Sequence, residues 1–117
     1  MLPAPHQVRM QWLPPEMGGR QIPHPGGEYW PTARFADDPL DRQFSVVLQL
    51  PPHTGDNGLA CLDARLGILF PDVEDQIRAR LLPGSLLLVH EGKRVVALCT
   101  VVRVKDRAQA ADAVSSA

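Results

Sequence analysis

Apolar and polar side chains alternate with a period of two through much of this chain, the pattern of strands with one face in a core. Val8, Met10 and Trp12 fall on one side of the segment Val8 to Leu13, with Arg9 and Gln11 on the other. Tyr29, Pro31, Ala33 and Phe35 do the same from 29 to 35, and the proline predicts an edge or a bulge near that strand's start. Phe44, Val46, Leu48 and Leu50 mark a third strand from Gln43 to Leu50, with Val47 on its other face. Leu59 to Phe70, stopped by Pro71, reads as a fourth. Between 72 and 82 two periods coexist. Val73, Ile77 and Leu81 recur at helical spacing behind an acidic start, while Ile77, Ala79 and Leu81 alternate as in a strand.

The strongest signal is the run from Gly84 to Val104. Leu86 to Val89 and Val95 to Val104 are rich in β-branched and aliphatic residues, and Glu91-Gly92 between them supplies a bend, so the pair reads as a hairpin. Its near-continuous apolarity predicts burial on both faces. Loops separate the strands. Glu16 to Gly27 holds four glycines and two prolines in twelve positions, and Pro51 to Gly58 is a second turn region. The pattern predicts a loose lead-in over 1–7, one domain over 8–104, and a frayed or weakly helical tail over 105–117. Six or seven short strands with turn-rich connections predict an all-β fold, a small closed Greek-key barrel of about six strands.

Composition narrows the function. A chain of 117 residues has room for one core, and a net charge of −1 gives no global attraction to nucleic acid, so any such binding is local. No apolar run approaches a membrane span, and the first ten residues lack the basic start and apolar middle of a secretory signal, so the expectation is a cytoplasmic protein. Cys61 and Cys99 lie in apolar strands as small hydrophobes, without metal or redox spacing. His6, His24, His53 and His90 are scattered, so no metal site is expected. No nucleophile elbow or carboxylate pair marks a catalytic centre, and no cofactor is expected.

Several pieces, in order, resemble one family. Trp12-Leu-Pro-Pro-Glu-Met-Gly-Gly-Arg20, Tyr29-Trp-Pro31 with Phe35, Leu69-Phe-Pro71, and the hairpin Gly84 to Val104 are similar to the third, C-terminal β-barrel domain of elongation factor Tu. The family's last turn reads arginine-glutamate-glycine-glycine-arginine, where this chain has His90-Glu91-Gly92-Lys93-Arg94. Residues 36 to 65 do not register with the family, and its glycine-alanine-glycine in the last strand is Ala97-Leu98-Cys99 here. No phosphate-binding loop is present, which excludes a nucleotide-driven switch.

The resemblance implies a translation-related barrel whose glycine-glycine-arginine loop and glutamate-glycine turn lie against an aminoacyl-tRNA helix. The matching positions are Arg20, Gln21, Glu91 and Gly92, with Lys93 and Arg94 adjacent. Arg20 could meet a phosphate or pair with a local carboxylate. Trp12 and Tyr29 are expected inside the barrel, and Trp30, at the family's arginine position, is the candidate exposed aromatic. Three readings follow: a non-enzymatic module that binds a protein partner or itself, an RNA-binding module, and an enzyme with an unrecognised site. The first leads, because the family's barrel packs against neighbouring domains and a free-standing copy must cover or reuse that face.

Overall fold

The computed structural model describes residues 3–20, 24–52 and 61–105; for Cys61 and residues 71–74 only the backbone is described. Gln21, His53, most of the 51–58 turn and the tail beyond Lys105 fall outside this set. The strands are β1 (His6–Trp12), β2 (Gly27–Tyr29), β3 (Thr32–Phe35), β4 (Phe44–Leu50), β5 (Cys61–Ile68), β6 (Leu86–Glu91) and β7 (Arg94–Arg103), with one helix, α1 (Pro71–Arg80). Every pairing is antiparallel. The order β4-β3-β6-β7-β1-β5 closes on itself through β4–β5, making a six-strand barrel with β2 as an added strand. β3, β4 and β5 are consecutive neighbours and β6 returns beside β3, which is the Greek-key arrangement.

Alternation dictates the interior. Val8, Met10 and Trp12 of β1, Ala33 and Phe35 of β3, Phe44, Val46, Leu48 and Leu50 of β4, and Leu87 and Val89 of β6 are all buried in one cluster with Cys99 and Val101 of β7. β7 breaks the alternation once. The register steps from Val89↔Ala97 to His90↔Val95, so Val96 is an extra residue, and Val96 and Ala97 are both buried.

Proline explains why β2 and β3 are two strands. Both run along the same edge of β4, Tyr29 opposite Leu48 and Thr32 opposite Ser45, and they are interrupted at Trp30-Pro31. Pro31 has no N–H to give, yet its carbonyl accepts from the Val46 N–H at 3.2 Å, so the line of the strand continues.

Two expectations are corrected, and one segment left open is settled. β1 starts at His6, which is buried and whose Nδ1 accepts the Lys105 N–H, so 6–7 belong to the barrel rather than to a lead-in. Of the segment 72–82, which two periods left open, the part to Arg80 is helix, begun at Pro71 with Pro at the first turn; Leu81 is already extended, and Pro83 holds Leu82 out of helical geometry beyond it. Burial on both faces of the hairpin is not observed: the inner face is sealed, but on the outer face Leu86 is 40% and Val102 43% exposed.

Candidate functional site

The glycine-rich loop is folded by local backbone rules. The Leu13 N–H donates to the Val96 carbonyl at 2.9 Å, carrying β1 one residue further, and Pro14-Pro15 then ends the ladder. A single 3-10 turn, Pro15–Met17, follows and closes at Gly18, whose φ of +96° suits glycine. Gly19 lies flat against the chain it has just left: a Cβ there would sit 1.7 Å from the Leu13 carbonyl oxygen. These two glycines turn Arg20 back over the end of the barrel.

There Arg20 meets Tyr29 from β2 and Glu91 from β6. Glu91 Oε2 accepts from Arg20 Nη1 at 2.6 Å and from the Tyr29 hydroxyl at 2.5 Å. The Arg20 guanidinium also lies 5.7 Å from the centroid of the Tyr29 ring. Arg94 Nη2 approaches Glu91 Oε1 at 3.8 Å across the Gly92-Lys93 turn, in which Gly92 has a φ of +66°. Trp12 and His24 pack on Tyr29, at centroid distances of 5.5 and 4.8 Å. His24 Nδ1 accepts the Gly26 N–H at 3.1 Å, fixing the ring from the far side of the loop.

The electrostatics follow from this packing. Partial burial pushes the Glu91 carboxyl up, but hydrogen bonds from Tyr29 and Arg20 and the charges of Arg20 and Arg94 outweigh it and hold Glu91 below the usual carboxylate range. Burial and the neighbouring carboxylate drive Tyr29 well above an ordinary phenol, so it stays protonated and donates. Burial and the Arg20 charge depress His24. Chemically the cluster is a clamp. Its carboxylate is held by two donors and its phenol is locked as a donor, so it ties the loop 13–20 to the β6–β7 turn.

The structure thus gathers Arg20, Glu91, Gly92, Lys93 and Arg94 at one end of the barrel, and Arg20 takes a carboxylate partner. Trp30 points away from the core, 63% exposed. Alternation had placed Tyr29 and Trp12 in the barrel, but it gives no sign that the Tyr29 hydroxyl reaches Glu91; His24 was missed altogether. Cys99 is fully buried, and its thiol is pushed up to about 12 by that burial. Among the described residues, no three His, Cys, Asp or Glu side chains converge as a metal site, and no helix is long and apolar enough to cross a membrane.

A second surface lies on the outer wall. The register aligns Arg34, Leu88, Leu98 and Gln11 in one row across β3, β6, β7 and β1, and Leu86, Thr100 and Arg9 in the next. The middle of the wall is therefore largely aliphatic, with the exposed Thr100 beside Leu86, and its flanks are polar. At its lower end Val102, Leu82, Pro83 and Ala79 line a groove of about 640 Å³ between β7 and α1. On the β3 flank Arg34 Nε donates to Nε2 of the buried His90 at 3.0 Å.

No protein-family model matches the chain, and no curated protein matches it.

Proposed function

We propose that this chain is a non-enzymatic β-barrel module, similar in build to the third domain of elongation factor Tu, that works in the cytoplasm by docking another protein on the outer wall of β6 and β7. The observation that carries this reading is the hairpin itself. Its sequence is apolar on both faces, and only one face is covered by the barrel; Leu86 and Val102 remain outside. Exposed aliphatic side chains of this kind, flanked by polar rows, suit a protein surface. The end of the barrel supports the same preference over RNA, because Arg20 and Arg94 both face Glu91 and their charge is partly spent within the molecule. It supports a non-catalytic role too, since the clamp offers neither a nucleophile nor an uncommitted base.

The test places a photoreactive side chain at Leu86 or Val102, and at Lys93 as a control. Protein adducts from the two wall positions and none from Lys93 are expected. Failure of the wall positions to form protein adducts would overturn the reading. RNA binding that weakens steeply with salt and is lost in Arg20→Ala would replace it with the RNA module.

A further inference from the structure

We infer that the partner received by this wall is an acidic amphipathic segment of another protein, its aliphatic side seated on Val102 and the groove beside it, its carboxylates on an arginine row that begins at Arg103 and crosses β1 to β5. This assignment rests on the docking role proposed above and gives the partner its chemistry.

A bulge in β7 sets the two halves of the surface side by side. Gln7 pairs with Arg103 and Val8 with Val101, so Val102 is an extra residue, and Val102 and Arg103 are both exposed. Both also line the groove that Ala79, Leu82 and Pro83 face from the other side, so an apolar seat carries a guanidinium on its rim. From Arg103 the register continues over neighbouring strands, to Gln7 on β1 and Arg65 on β5, with Arg9 two residues further along the same outer face of β1. Two interstrand steps, about 10 Å, separate the backbone at Arg65 from that at Arg103.

Charge is segregated here. The whole chain carries a net charge of −1, yet the carboxylates beside this surface are already engaged: Asp63 lies 3.7 Å from Arg9, and Asp75 accepts from Arg78 at 2.9 Å. Among the described residues neither Arg65 nor Arg103 has a carboxylate partner. Two guanidiniums without a counter-charge, next to exposed aliphatic side chains, match a ligand that brings carboxylates and aliphatic side chains together. A phosphate backbone would satisfy the row but leave Val102 and Leu82 uncovered, and a neutral apolar surface would take Arg103 out of water unpaired.

The probe is a labelled peptide of about 15 residues with leucines on one helical face and glutamates on the other, titrated against the full chain by fluorescence anisotropy. Binding that weakens with salt is expected, and none for the version with lysine at every glutamate. Arg65→Glu and Arg103→Glu are each expected to weaken binding about tenfold and Val102→Asp to abolish it, all three leaving the thermal melt in place, since none of these side chains lies in the core. Arg42→Glu, a charge reversal just before β4, is expected to change nothing. Failure of the glutamate peptide to bind overturns the inference, as does equal binding of the lysine version or indifference to both arginine reversals. A uridine oligonucleotide that binds where the peptide does not, and is lost in Arg65→Glu, overturns it in favour of nucleic acid. The photoreactive side chain at Val102 separates the two proposals, because the crosslinked stretch of the captured protein can be sequenced by mass spectrometry. A stretch rich in glutamate or aspartate supports the acidic segment; a neutral or basic stretch, or a second copy of this chain, removes it and keeps the docking role, and no protein adducts remove both.

Discussion

Gly19 is the residue on which the loop geometry turns hardest. With the Leu13 carbonyl oxygen 1.7 Å from where a Cβ would stand, Gly19→Ala must move the backbone of the loop or of β1, and a loss of at least ~2 kcal/mol is expected by urea unfolding. Gly67→Ala should behave alike, since its Cβ would lie 2.0 Å from the Pro3 carbonyl oxygen. Glu91 is the second critical residue. Glu91→Ala leaves Arg20 and Tyr29 without their shared acceptor and should cost about 1–3 kcal/mol, with Tyr29→Phe costing about 1. His90 sets a pH dependence. Burial first, and the Arg34 charge next, lower its folded affinity for protons, so the neutral ring is the native form. A group with a depressed folded value loses its contribution as pH falls below its unfolded value, near 6.5 for histidine. Glu91, also depressed, adds its loss at lower pH still. Thermal melts should therefore fall from about pH 7 to about pH 5, and His90→Gln, whose amide oxygen can still accept from Arg34, should flatten that fall.

At the level of elements, α1 closes the lower end of the barrel. Ile77 packs against the core, Leu81 just after the helix is buried within it, and Arg80 lies 4.1 Å from the Phe35 ring centroid while bonding Asp38. Leu81→Ala should cost about 2–5 kcal/mol in denaturant unfolding, because the deleted volume lies under a helix with little freedom to collapse. The strands were legible in the sequence because a period of two needs only local side-chain chemistry. The register at 72–82 was not, because Ile77 and Leu81 satisfy both periods; the deciding signals were the prolines at 71 and 83, which open a helix and bar its continuation. The candidate site was half legible. Arg20 and Glu91 were singled out by the family resemblance of their loop and turn, but they lie 71 positions apart, and only the closed topology brings them into contact. The double apolarity of the hairpin was read as burial on both faces, an inference about environment that a single chain does not have to satisfy by itself.

Across the whole molecule, Cys99 offers a measure of global opening. It is fully buried and its thiol is pushed up to about 12, so in the native barrel it has neither access nor thiolate character. In a Cys61→Ser background, labelling by a thiol reagent should proceed at the rate of global unfolding and accelerate with the destabilising variants above; fast labelling of the native state would contradict the closed wall. The placement of β1 has a further consequence for biosynthesis. This first strand lies between β5 and β7, with Val8 opposite Val101, so a ribosome that has not yet delivered the last strand holds a nascent chain whose opening ribbon has an unsatisfied edge. In a stalled nascent chain lengthened by a linker that brings Arg103 out of the exit tunnel, mechanical pulling by the fold should therefore come as one late event, and any chaperone that shields extended apolar segments has its window before that moment.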